Sequence, residues 1–169
     1  CKLPPKKAKE MQVLDREEMQ KFLIQAQADG YYELFLLDLC TGLRRGELIA
    51  LQWDDLNFET GVLTVNKQAY TVNGELQIIP PKTKASMRKL VLPPAVLAVL
   101  REYKKTGDSR WMFPSPVKAD RPITPGVARR RLQTILERAD CKRVRFHDLR
   151  HTFATLALEN GMDVKTLSA

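Results

Sequence analysis

Gln68-Ala69-Tyr70-Thr71-Val72-Asn73-Gly74-Glu75-Leu76-Gln77-Ile78-Ile79 decides the fold class of this chain. Two short β-prone runs flank Asn73-Gly74, a pair that tolerates the two positive φ angles of a tight hairpin turn and is the strongest short-range hairpin signal. Pro80-Pro81 ends the second run. Working outward, Val62-Leu63-Thr64-Val65 after the turn Glu59-Thr60-Gly61 and Lys89-Leu90-Val91-Leu92 read as further strands. Beyond them the period changes to that of helices on both sides. The expectation is an α+β domain, mainly helical, with a small antiparallel three-stranded sheet embedded in it.

The helical flanks carry their own punctuation. Asp15-Arg16-Glu17-Glu18 is a capping box, and the helix it opens puts Met19, Phe22, Leu23 and Ala26 on one face before Gly30 ends it. Tyr31 to Cys40 predicts a second, more apolar helix broken by Thr41-Gly42, and Arg45 to Leu51 a third, short one. Past the hairpin, helices are predicted from Pro94 to about Lys104 and from Thr124-Pro125 to about Ala139, the latter with Thr as N-cap and Pro at the first helical position. A last helix is predicted from near His147 to Asn160-Gly161, and a new one opens at Asp163 six residues before Ala169.

Composition narrows the function classes. The 169 residues suit one domain. Cys1, Cys40 and Cys141 are too few and too scattered for a disulfide scaffold, and Cys40 reads as core. No apolar run is long enough to span a bilayer, and the Lys- and Pro-rich opening lacks the apolar stretch of a signal peptide. Lys plus Arg exceed Asp plus Glu by 28 to 20, a net charge of +8 that fits either a nucleic-acid partner or a merely basic protein.

Three short segments carry chemistry. In Thr41-Gly42-Leu43-Arg44-Arg45-Gly46-Glu47-Leu48 a helix break precedes an Arg at the next helix start, and Glu47 three residues on can orient it. The bland alternative is a surface Arg–Glu pair. Pro81-Lys82-Thr83-Lys84 places lysines just after the hairpin. In Phe146-His147-Asp148-Leu149-Arg150-His151, the residues His147, Arg150 and His151 share one helix face. Cations at a helix N-terminus oppose the macrodipole, which points to a bound anion there rather than a plain solvated face. His147, His151 and Cys141 lack the spacing of a zinc site: no Cys-x-x-Cys and no His-Glu-x-x-His is present.

These three segments, in this order and with helix–hairpin–helix between them, resemble the tyrosine recombinases, in particular the phage lambda-type and conjugative-transposon integrases. The resemblance runs from about Asp15 to Ala169. It implies a catalytic domain over residues 13–169, lacking its C-terminal tyrosine segment. It also implies that residues 1–12 are a linker from an N-terminal DNA-binding region. By the resemblance, Arg44, Lys82, His147 and Arg150 are the catalytic residues, with Lys84 the fallback for Lys82. Glu47 supports Arg44, and His151 accompanies the His-x-x-Arg pair. The nucleophilic tyrosine is expected beyond Ala169, because Tyr31, Tyr32, Tyr70 and Tyr103 all precede His147.

The implied reaction is DNA strand cleavage and rejoining through a 3′-phosphotyrosine, in the service of integrating a mobile element. Two arginines suit the gripping of phosphoryl oxygens, the role a metal has in other phosphoryl transfers. No metal and no cofactor is therefore expected. Lys84, Arg129, Arg130, Arg131, Arg143 and Arg145, with Lys142, are expected to contact the DNA backbone. The implied partner is double-stranded DNA, with a homotetramer on DNA for the whole protein, a monomer for this chain, no membrane, and a place in the bacterial cytoplasm at the nucleoid. This chain alone is expected to be inactive. Two other classes remain: a non-catalytic DNA-binding module using the same basic face, and a metal-dependent nuclease. The latter is disfavoured because Asp54-Asp55 and Glu17-Glu18 sit in capping or strand-entry positions.

Overall fold

The computed structural model describes residues 12–80, 83–84 and 87–159, with side chains as far as 152. Among the described residues the elements follow one another as α1 (Arg16–Asp29), α2 (Tyr32–Thr41), α3 (Arg45–Ile49), the 3-10 turn Trp53–Asp55, β1 (Val62–Val65), β2 (Gln68–Val72), β3 (Glu75–Ile79), β4 (Arg88–Val91), α4 (Pro94–Lys104), α5 (Pro125–Arg138) and α6 (Phe146–Glu159).

The punctuation read from the sequence sets these boundaries. The amide of Glu18 donates to Asp15 Oδ1 at 2.8 Å and that of Asp15 to Glu18 Oε2 at 3.1 Å, closing both halves of the box. Thr124 caps α5 by accepting the Val127 amide at 3.3 Å. Asn73 and Gly74 take φ of 50° and 81°, the two positive values a tight hairpin turn requires. The helix α6 starts one residue before His147, and α3 stops at Ile49, two residues short of the expected Leu51. The expected helix stop at Asn160-Gly161 and the new start at Asp163 lie outside the described residues.

Strand pairing departs from the expected three-stranded sheet. The hairpin β2–β3 pairs in register Tyr70↔Gln77, while β1 pairs separately with β4 in register Leu63↔Leu90, giving two antiparallel two-stranded ladders. Lys67 Nζ lies 2.6 and 2.7 Å from the two carboxylate oxygens of Asp55, tying the chain between β1 and β2 to the 3-10 turn.

The core is helical. Phe22 of α1, Phe35 of α2 and Phe146 of α6 meet in a run of aromatic rings, with centroids 5.1 and 5.8 Å apart. Leu132, Ile135 and Leu136 of α5 close it from a further side. Cys40, read as core from the sequence, is half-buried at its edge. The helix α3 sits directly on the hairpin: a Cβ at Gly46 would lie 2.8 Å from the backbone oxygen of Ala69 in β2, a separation side chains do not tolerate. Gly46 thus lets α3 approach the strand closely enough to share a rigid frame with it.

One core residue is out of place by ordinary rules. Asp38 in α2 is fully buried, and neither carboxylate oxygen has a hydrogen-bond partner among the described residues. Burial pushes its pKa well above the usual carboxylate range, so the folded chain holds the proton more tightly than the unfolded chain. The pH-dependent part of the cost of Asp38 is therefore absent in acid and appears as pH rises above about 4, the unfolded value. Replacing Asp38 by Asn should remove that dependence. Denaturant melts should show the stability difference between variant and parent growing between pH 5 and pH 7, at about 1.4 kcal/mol per pH unit until the folded acid also ionises. A difference that is flat with pH would contradict the assignment.

Candidate functional site

Two helices deliver arginines to one place, and each starts in the same way. The helix α2 ends on Gly42, whose φ of 63° lets the chain turn back while its amide donates to the Asp38 carbonyl at 2.8 Å. Leu43 anchors in the core, and Arg44 follows as the N-cap of α3 in extended conformation with its side chain exposed. Glu47, three residues later, accepts the Arg44 amide at 3.0 Å. In α6, Asp148 accepts the Arg145 amide at 2.8 Å from the equivalent position. Each acid satisfies an N-terminal donor that the helix cannot.

Glu47 then does something the sequence did not show. Its carboxylate receives both terminal nitrogens of Arg88, at 3.0 and 2.9 Å, in a bidentate pair. The expectation that Glu47 orients the Arg44 guanidinium is corrected here: it holds the Arg44 backbone and the Arg88 side chain. Burial works against the charge on Glu47. The Arg88 pair and the Arg44 amide outweigh it and leave the carboxyl below its ordinary range.

Arg150 enters from α6, half-buried. Its proton is held less tightly than usual, first because of burial, then because Arg44 and Arg88 face it, with Glu47 pulling the other way. Arg44, Arg88 and Arg150 are thus grouped around Glu47, and two of the three positive charges have no ion-pair partner among the described residues. Among protein groups alone such an arrangement is unfavourable, and a bound anion relieves it. His147 is exposed one turn before Arg150 on the same face, and its Nε2 lies 3.2 Å from Nε2 of His151. Lys82 lies outside the described residues, while Lys84 is exposed on the turn before β4.

The other basic candidates separate. Arg145 is occupied by Asp148, which takes its Nε and a terminal nitrogen, each at 3.1 Å. Arg143 donates to Gln133 Oε1 at 3.0 Å, and Gln133 in turn donates to the Val144 carbonyl at 2.8 Å, tying the approach to α6 onto α5. Arg129, Arg130 and Arg131 are all exposed, but consecutive helix positions turn by about 100°, so they cannot share one direction. Arg131 lies over the Tyr31 ring at 5.3 Å, on the flank where Arg138 pairs with Asp29. Arg129 falls on the opposite flank, with Gln133. Arg129 and Arg130 have no hydrogen-bond or ion-pair partner among the described residues.

Arg88 is the residue that sequence reasoning missed. It sits in β4, 41 positions from Glu47, and no local spacing links the two. Of the tyrosines, Tyr103 is pushed up to about 12 by burial, then by Glu33 and Tyr31, which keeps its phenol protonated. Among the described residues, no helix is long and apolar enough to cross a membrane, and no group of three or more His, Cys, Asp or Glu could hold a metal ion.

With this geometry in hand, the sequence profile of the phage integrase family matches residues 12–169. The chain belongs to that family. A XerC-like tyrosine recombinase of Caldanaerobacter subterraneus is 30% identical over 94% of the chain and 46% of its own length. The tyrosine recombinase XerA of Pyrococcus furiosus is 32% identical over 91% of the chain and 50% of its own length. The chain therefore spans about half the length of these curated relatives. Among solved structures, the Tn1549 transposon integrase bound to transposon right end DNA superposes with a TM-score of 0.82 at 24% identity, over 97% of this chain and 58% of that one. The catalytic-domain fold of a tyrosine recombinase, mainly helical with small antiparallel β-elements, is thus the fold of this chain.

The Glu47–Arg88 pair makes a direct prediction. Glu47→Gln leaves Arg88 without its carboxylate, and breaking a buried pair costs about 3 kcal/mol. Because the folded-state pKa of Glu47 is below its ordinary value, this stabilisation is present at neutral pH and lost as pH falls through the folded value. Urea melts should show the gap between parent and variant at pH 7 closing towards pH 3.

Proposed function

We propose that this chain supplies the phosphate-gripping part of a site-specific DNA recombinase that integrates a mobile element. The observation carrying this reading is that Arg44, Arg88 and Arg150 lie within electrostatic reach of one another beside the Glu47 carboxylate, which pairs with Arg88 alone. A phosphodiester in the path of a duplex is the anion that this cluster and the chain's net charge of +8 would suit. The family membership adds the reaction type.

In this reading Arg44 and Arg150 grip the non-bridging oxygens of the scissile phosphate and stabilise the charge that builds on them. A tyrosine oxygen attacks phosphorus, the bond to the 5′ oxygen breaks, and a 3′-phosphotyrosine forms. Lys82, or Lys84 in its stead, hands a proton to the leaving 5′ oxygen. His147 serves as acid–base partner. The returning 5′-hydroxyl of another strand reverses these steps, so the phosphotyrosine conserves the bond and no energy source is needed. Arg88 is a positioning residue, holding Glu47 and through it the Arg44 backbone. Arg129, Arg130 and Lys84 extend the cationic face along the DNA backbone. Arg143 and Arg145 join them only by exchanging their present partners for phosphates, and Arg131 faces another way.

None of Tyr31, Tyr32, Tyr70 and Tyr103 takes the nucleophile's place in this scheme, so the 169-residue chain is expected to bind DNA without cleaving it. The lambda integrase is known as a tetramer on a Holliday junction. A homotetramer on DNA is proposed likewise for the whole protein, and a monomer for this chain. A cytoplasmic, nucleoid-bound location follows from the same reading.

The test is a filter-binding titration on duplex DNA over a range of salt. Binding should weaken steeply with salt, and Arg44→Ala and Arg150→Ala should each weaken it and reduce the logarithmic salt slope by about 1. Absence of affinity at low salt would overturn the reading. A covalent protein–DNA adduct formed by this chain would overturn its assignment as a binding half. The rival reading, a DNA-binding module without chemistry, shares the same cationic face. An adduct on a downstream tyrosine of the whole protein decides against it.

A further inference from the structure

His147 and His151 are one helical turn apart on the outer face of α6, and their rings meet edge to face with centroids 4.8 Å apart. Their Nε2 atoms lie 3.2 Å from each other. In the chain as it stands, that approach is a hydrogen bond with one ring donating and the other accepting. The same approach is also that of a chelate. A transition-metal ion about 2.1 Å from each nitrogen would subtend an angle of about 100° between them, between the tetrahedral and octahedral values. Two histidines at this spacing on one helix face are a known way of presenting imidazoles to such an ion.

We propose that His147 and His151 form a two-imidazole site for a divalent transition-metal ion such as Zn2+ or Ni2+, and that its occupation silences His147. The site is open: His147 is exposed and His151 half-buried, so the remaining coordination positions are free for water. It is also selective. Arg150 lies on the same face, within electrostatic reach of Arg44 and Arg88, so bare Coulomb attraction works against any cation. The nearest carboxylate on the helix, Asp148, is buried and committed to Arg145. Hard, oxygen-seeking ions such as Mg2+ find nothing here, while ions that bond covalently to imidazole nitrogen do. With two protein ligands the binding is reversible and looser than in a four-ligand structural site. An ion on His147 Nε2 takes the lone pair that acid–base work requires. This last step rests on the role proposed above for His147; the metal site itself does not.

These are the chain's two histidines, which makes the experiment direct. The DNA-free chain is titrated with Ni2+ while the imidazole proton resonances are followed. Both histidines should broaden together at substoichiometric Ni2+, an equal concentration of Mg2+ should do nothing, and a chelator should restore the signals. Calorimetry with Zn2+ should give one site per chain, weakened roughly tenfold or more by His147→Gln or His151→Gln. Broadening of one histidine alone, or Zn2+ affinity unchanged in both variants, would overturn the site. Duplex binding by His151→Gln, measured without metal, reports separately on the recombinase reading. A variant that binds DNA and has lost Zn2+ shows the two standing apart.

Discussion

The carboxylate of Glu47 is the constraint around which the rest of the site is arranged. It is nearly inaccessible to water, yet charged, and it serves two partners at once: the Arg44 amide and the Arg88 guanidinium. A charge buried this way contributes little net stability compared with an apolar residue of the same size. Its value lies in what it forbids. With Arg88 clamped in a bidentate fork and the first turn of α3 closed, the backbone from which Arg44 projects is held in place. The third guanidinium, on α6, is then brought against a positive neighbourhood already fixed in shape. A preorganised cationic site stabilises developing negative charge because nothing has to reorient when the charge appears.

The same device recurs. An acid folds back onto the backbone amide three residues earlier and takes a cation with its remaining capacity: Glu47 with Arg88, Asp55 with Lys67, Asp148 with Arg145. The first ties a helix start to β4, the second ties a 3-10 turn to the corner between the strands, and the third closes the start of α6 on itself. Each joins a local capping requirement to a charge requirement, so satisfying one fixes the other. A helix terminus with an unsatisfied amide would fray, and a buried acid without a cation would take up a proton. Asp38, with neither kind of partner among the described residues, shows that second outcome.

How much of this was legible from residues alone follows from the range of each interaction. The capping box at Asp15, the Asn73-Gly74 turn and the Thr124 cap depend on neighbours within four positions, and the sequence states them openly. The grouping of Arg44 with Arg150 was legible only through resemblance, since more than a hundred residues separate them. Arg88 was not legible at all, because its place beside Glu47 follows from the pairing of β4 with β1, a long-range choice no periodicity reveals. The run Arg129-Arg130-Arg131 misled for the opposite reason. Adjacency in sequence suggests a patch, but a helix scatters neighbours around its axis, and Arg131 ends up over Tyr31.

Gly46 has a mechanical meaning. Because its missing side chain lets α3 rest on the Ala69 backbone, the strand and the short helix behave as one lever with the hairpin turn at its far end. Force on the tip at Asn73-Gly74 is carried along β2 into the base of Arg44 without a soft layer of side chains to absorb it. Whatever presses on the hairpin is thereby felt, within the same rigid body, at the arginine.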